Sequence, residues 1–374
     1  DWSSDVCSSD LKKIDIIIGI RPDFIRAAAL KTAFQDFEDT LDIRILHTGQ
    51  HYDPELSQDI LDQLNLSPVH AYLDINVIEG IGKLASIMMS YENQINIDRP
   101  DMVIVLGNSD SALACSIVAS RSHIEVAHID AGVRSYDPQI TEEQNDMLID
   151  RLSTYLFTSN EEPVINLIRE GYDNQNIIEV GNIRADAVFA NLGFAEDSNV
   201  LDRYGLEQGA YMLLTLHHDH VLRNKSFVIS FLTMLERLSE RLRICMVLHP
   251  KTLIQLEDMP EVMLDPGVNL QFVSSQNYHD MLKLLKNTVV VVTDSQGIQE
   301  ESSVLGVQCL TIGQTTNRPV TLTKGTNTLL GFDVQEIEAK IVDVIEGNKI
   351  DGFPIDGWEG KTGQRIAKYF AEIE

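Results

Sequence analysis

The chain is poor in cysteine and in cations, and it has no long apolar run. Its four cysteines, Cys7, Cys115, Cys245 and Cys309, stand far apart and form neither a CxxC pair nor a Cys/His cluster. That spacing argues against a disulfide framework and against a metal centre. The last three lie in apolar stretches and read as small core residues, which fits a reducing cytoplasm. Lysine and arginine total 29 against 57 aspartates and glutamates, a formal charge of −28. A surface this acidic argues against nucleic acid and anionic membrane as partners, because both require a basic face. It leaves small anionic ligands open, since a pocket needs only two or three local cations. No apolar run nears the ~18 residues of a membrane span. The opening DWSSDVCSSD lacks the apolar centre of a signal peptide, and residues 1–12 read as a tail outside the fold.

What is present is a regular alternation. The length of 374 residues with 44% apolar content suits two globular domains. Strands are expected at 14–18, 43–47, 102–106 and 125–129, with helices at 23–37, 82–96, 111–121 and 142–152. The pattern restarts with strands at 211–215, 244–248, 289–293 and 309–312, and helices at 225–239, 278–286 and 297–305. Strands apolar throughout, alternating with helices, indicate parallel sheets covered on both faces. The expected class is α/β, with two Rossmann-like domains at 13–181 and 182–357, a cleft between them and a final helix at 358–374. Ligands of such folds bind at the carboxyl ends of the strands.

Four stretches after expected strands carry chemistry. In Gly19-Ile20-Arg21-Pro22-Asp23, Arg21 stands just before a helix, where a cation beside free amides suits a diphosphate; an ordinary loop arginine would look the same. Thr293 to Glu301 follows an abruptly apolar strand. Ser295 and Gly297 open a helix toward phosphate oxygens, and Glu301 can accept ribose hydroxyls; the bland alternative is a helix cap. Asn108 and Asp110, then Asp130 and Arg134, then Glu142 and Glu143 concentrate carboxylates and cations, as acid–base work on a sugar requires. His217, His218 and His220 follow a strand without metal-ligand spacing, so a phosphate-facing imidazole is preferred to zinc.

Taken in order, GIRPDFI (19–25), TGQH (48–51), GNSD (107–110), HIDAGVRS (128–135), TEEQND (141–146), TLHHDH (215–220), HPKT (249–252), TDSQGIQEE (293–301) and TTNRP (315–319) resemble the UDP-N-acetylglucosamine 2-epimerase family, non-hydrolysing branch. The resemblance implies a GT-B-like fold with the last helix crossing back to the first domain. It implies a homodimer and a reaction with neither cofactor nor metal: loss of the proton on carbon 2, departure of UDP to leave a glycal, and re-addition. By the same resemblance Arg21, Arg26, His217, Ser295, Gly297, Glu301 and Arg318 contact the UDP-sugar, Glu142 is an acid/base carboxylate, and Gln50 and His51 mark a regulatory segment. The spelling departs from the family at several points. Its GD is Gly107-Asn108, its HxEAG glutamate is Asp130, and the Arg of its PEExNR is Asp146. Gln296 stands in its TDSGG, and its TxHRxE is His217-His218-Asp219-His220. These departures leave three readings open. One is an epimerase with a rearranged acid–base set drawn from Asn108, Asp110, Asp130, Glu142 and His217. The others are an enzyme of a related UDP-sugar, or hydrolysing variant, and a UDP-sugar-binding protein without turnover.

Overall fold

The computed structural model describes residues 11–50, 54–73, 75, 80–138, 140–216, 219–257, 259 and 269–373. Two compact units divide the chain: Val188–Ile355, and the residues before it together with Asp356 onward.

In the first unit the strands are β1 (Lys12–Ile18), β2 (Leu41–His47), β3 (Ala71–Tyr72), β4 (Met102–Leu106), β5 (Glu125–Ile129), β6 (Tyr155–Thr158) and β7 (Ile177–Glu179). They form one parallel sheet in the order β3-β2-β1-β4-β5-β6-β7. The second unit repeats the plan with β8 (Tyr211–Thr215), β9 (Arg243–Leu248), β10 (Leu270–Ser274), β11 (Val290–Thr293), β12 (Cys309–Ile312) and β13 (Asn327–Leu330). Its parallel order is β10-β9-β8-β11-β12-β13. Each unit is therefore a Rossmann-like doubly wound sheet with a switch point, at β1/β4 and at β8/β11. This bears out the α/β class.

The central strands are apolar along their whole length because helices cover both faces. MVIVL of β4 and YMLLT of β8 are buried at every position. Burial of each Leu, Ile or Val of this kind contributes about 1.5–3 kcal/mol. A buried charged pair lies inside the first sheet. Asp15 of β1 pairs in register with Arg44 of β2, 2.6 Å apart, and burial pushes its carboxyl up to about 6.

Five strands were not foreseen. β3 holds two residues, β6, β7 and β13 only three or four, and β10 mixes polar Gln271 and Ser274 into its five. The first helix spans Arg21–Phe34, so Arg21 is its first residue rather than the one before it. The last helix is Thr362–Glu372. It begins after Gly360, whose φ is +79°, while Trp358 is buried and donates its Nε1 to the Ser159 carbonyl at 3.3 Å. Asp186 accepts from the amides of Thr362 (3.1 Å) and Gly363 (2.8 Å) and so caps this helix. Among the described residues no helix is long and apolar enough to cross a membrane.

Candidate active site

The loops at the carboxyl ends of β1, β4 and β5 meet around the first switch point. Asp23 reaches back from the first turn of helix Arg21–Phe34. Its Oδ2 accepts from the amides of Gly19 (3.1 Å) and Ile20 (3.2 Å) and from Ser109 Oγ (3.3 Å). Free amides were expected beside Arg21, and these two of the loop are occupied. Burial pushes Asp23 up to about 6. Arg26, one turn further, lies between Asp130 (2.7 Å) and Asp23 (3.4 Å), and all three are buried. Its guanidinium also packs on Gly107, where a Cβ would fall 2.6 Å from Nη1 and where φ is +63°. Only glycine satisfies both conditions. Asp130 has a φ of +72°, a conformation that Asp tolerates at a cost and that marks a held position.

Helix Thr141–Leu152 turns an acidic face inward. Glu143, Asp146 and Asp150, spaced at i, i+3 and i+7, are all buried. Glu143 takes the amides of Ser135 (2.6 Å) and Tyr136 (3.1 Å). Asp150 takes His128 Nδ1 (2.6 Å), Arg134 Nη2 (2.7 Å) and the Gly132 amide (3.1 Å). Burial alone would lower the His128 pKa, but the Asp150 carboxylate outweighs it and raises the imidazole above its ordinary value. Burial likewise opposes ionisation of Asp150, and His128 and Arg134 overcome it. The pair is an imidazolium–carboxylate ion pair, and His128 Nε2 donates to the Gly107 carbonyl at 3.0 Å. Asn145 Nδ2 holds the Asn108 carbonyl (2.9 Å), and Asn108 Nδ2 donates to Asp146 Oδ2 (2.8 Å). Burial pushes Asp146 up to about 7.

The remaining residues singled out in this unit lie around that core. Asp110 opens helix Asp110–Arg121 and pairs with Lys83 at 2.7 Å. Glu142 is exposed on the first turn of its helix. Arg21 is half-buried. Gln50 turns its Oε1 inward to Ser111 N (3.0 Å) and Oγ (2.6 Å). His51 and His217 lie outside the described residues.

In the second unit β11 runs into helix Gln296–Leu305, with Ser295 as its cap residue. Ser295 N donates to Thr293 Oγ1 at 3.0 Å, and Thr293 Oγ1 meets Thr215 Oγ1 of β8 at 2.6 Å. The half-buried Gln296 and Gly297 follow, and first-turn amides have no acceptor within a helix. Glu301 is buried one turn in. Arg318 forms a buried pair with Glu300 at 3.1 Å. Gln299 Oε1 accepts from Thr316 Oγ1 at 2.6 Å and from Asn327 Nδ2 at 3.3 Å, tying the loop after β12 to this helix.

The structure therefore joins Arg26 to Asp130 and draws Asn108 beside them through Gly107, while Asp110 is paired elsewhere and Ser295, Gly297, Glu301 and Arg318 gather in the second unit. Asp23, Asn145 and Asp150 were not anticipated. For Asp150 a signal existed, its place one helical turn beyond Asp146. Among the described residues no group of three or more His, Cys, Asp or Glu is arranged to hold a metal ion.

A family model described as UDP-N-acetylglucosamine 2-epimerase matches residues 35–371. A protein of that description from Methanocaldococcus jannaschii is 33% identical over 364 residues, 95% of this chain and 98% of its own. A UDP-2,3-diacetamido-2,3-dideoxy-D-glucuronate 2-epimerase of Pseudomonas aeruginosa is 31% identical over 372 residues, 96% and 100% of the two chains. The crystal structure of the M. jannaschii UDP-GlcNAc 2-epimerase in complex with UDP-GlcNAc and UDP matches with a TM-score of 0.87 at 31% identity, covering 96% of this chain and 99% of that one.

Proposed function

The chain belongs to the UDP-N-acetylglucosamine 2-epimerase family, and from that premise we propose that it interconverts UDP-GlcNAc and UDP-ManNAc. The observation that carries the reading is the family match over residues 35–371, within which Asn108 and Asp110 follow β4, Asp130 follows β5, and Ser295 and Gly297 follow β11.

In this reading a base takes the proton from carbon 2 of the sugar, the C1–O bond breaks, and UDP leaves a glycal with a double bond between carbons 1 and 2. UDP then adds back at carbon 1 while carbon 2 is protonated on the opposite face. Glu142 is the proton-transfer group. It is exposed and forms no hydrogen bond or ion pair with a described residue, so its oxygens are open to a ligand. Asp130 and Asp110 are engaged by Arg26 and Lys83 and steady charge and geometry. Asn108 has no acidic proton to exchange, so it serves as a polar contact. Arg21, Arg26 and His217 meet the diphosphate and sugar. In the second unit Ser295, Gly297 and Arg318 receive the nucleotide phosphates and Glu301 its ribose. The protein works in the cytoplasm as a homodimer, and Gln50 and His51 belong to a regulatory segment. The three described cysteines, buried and unpaired, support the compartment, and light scattering at twice the chain mass would support the dimer.

Incubation with UDP-GlcNAc in deuterated water is expected to place deuterium on carbon 2 and to generate UDP-ManNAc. No exchange at high enzyme concentration would sink the proposal, and release of free sugar would replace it with a hydrolysing reaction. The Pseudomonas relative supports a second reading. Turnover of a UDP-2,3-diacetamido-uronate in preference to UDP-GlcNAc would establish it.

A further inference from the structure

The departures at positions 108 and 146 read in the sequence as two separate losses. In the fold they face each other. Asn108 Nδ2 donates to Asp146 Oδ2 across 2.8 Å, although 38 residues separate them. The same helix also grips the Asn108 main chain, through Asn145. Asp150 on that helix, acting through His128, fixes the preceding carbonyl of Gly107. Asp146 is only 2% exposed, whereas Asn108 is half-buried. The accessible member of the pair is therefore the amide.

In this contact Asp146 Oδ2 accepts, so the NH2 end of the Asn108 amide faces inward and Oδ1 is left as the outward atom. Asn108 Oδ1 forms no hydrogen bond with a described residue. A carboxylate facing an arginine, the pair spelled in the family motifs, and an amide facing a carboxylate are each self-consistent. A carboxylate facing a carboxylate is not, because like charges at this distance repel.

We propose that Asn108 and Asp146 are one compensated unit, in which Asp146 is a positioning residue that fixes the Asn108 amide with its oxygen outward, as an acceptor for a hydroxyl or acetamido N–H of the sugar. The inference rests on the UDP-sugar reading above. It assigns no proton transfer to position 108, where the family spelling has a carboxylate.

The test is a double-mutant cycle on N108D and D146R, joined by D146N and D146L. The readouts are kcat and KM for UDP-GlcNAc, UDP affinity by calorimetry, and thermal unfolding of each variant. N108D creates a carboxylate pair and D146R removes the acceptor, so each alone is expected to lower kcat/KM. Their combination should regain about tenfold or more over the product of the two single effects, as directly contacting residues couple. D146N keeps an acceptor oxygen and should fall less in kcat than D146L, at comparable unfolding temperatures. Additive single effects, or equal loss in D146N and D146L, would overturn the proposal. Should the wild type exchange no deuterium at carbon 2, the epimerase reading fails by itself. The coupling is then read from UDP affinity and unfolding, where additivity would again refute the pair.

Discussion

At the residue scale, the environment of each carboxylate decides its chemistry more than its position in a motif does. Glu142, Asp130 and Asp110 are the same functional group, yet one is open to solvent, one is locked to a buried arginine and one is paired at a helix start. Replacing Glu142 by Gln removes the group able to exchange a proton. It is expected to slow deuterium incorporation at carbon 2 by about 10²–10⁴-fold, with UDP affinity by calorimetry nearly unchanged. Asp146 has a different signature. Its pKa rises from 3.8 unfolded to about 7 folded. Between those values the folded chain keeps a proton that the unfolded chain has released, so stability is full below pH ~4 and is lost as pH climbs through ~7. The burial that raises Asp146 is opposed by His128 and Arg134 and assisted by Asp150. Asp15 and Asp23 titrate in the same direction, so the variant must be compared with wild type at each pH. Asp146→Asn should gain on wild type by up to about 4 kcal/mol in urea unfolding between pH 4 and pH 8. A flat difference would refute the assignment.

At the scale of elements, helix Thr141–Leu152 does the most positioning. Its inward polar face grips the loops after β4 and β5 through Glu143, Asn145, Asp146 and Asp150. Its i, i+3, i+7 acidic spacing was legible in the sequence, but an acidic helical stripe is ordinarily a solvated one. Only the cations His128 and Arg134, brought in from β5 and the loop after it, allow it to face inward. Helix Thr362–Glu372 shows a similar dependence. Its start could not be read from the sequence, because the cap is Asp186, 176 residues earlier than Thr362. Asp186→Ala should lower the stability of the first unit by about 1 kcal/mol, measured as a lower urea midpoint at an unchanged slope.

At the scale of the whole molecule, the charge of −28 repels itself, which weakens the compact state. Raising ionic strength from ~0.01 M to ~0.15 M shortens the screening length from ~30 Å to ~8 Å. The melting temperature is expected to rise across that range, and a fall would show that attractive surface pairs dominate instead. The same acidity makes the local cations stand out. Arg26 and Arg318, one in each unit, are buried against carboxylates rather than spread over the surface.

The sequence by itself determined the strands and the loops that follow them. Short β-branched runs such as Ile16–Ile18 and Val289–Val292, bounded by turn residues, read as buried strands, and the polar stretch after each as a carboxyl-end loop. It missed the short strands β3, β6, β7 and β13, whose two to four residues carry too little periodicity. Tertiary structure alone decided the partners. The order β3-β2-β1-β4-β5 places β1 beside β4, so Arg26 meets Gly107, and it sets β5 next, so Arg26 also reaches Asp130 across 104 residues. Asn108 and Asp146 looked like two unrelated losses until packing put them within one hydrogen bond. A charge is read from one residue, but its energy depends on what the fold sets against it.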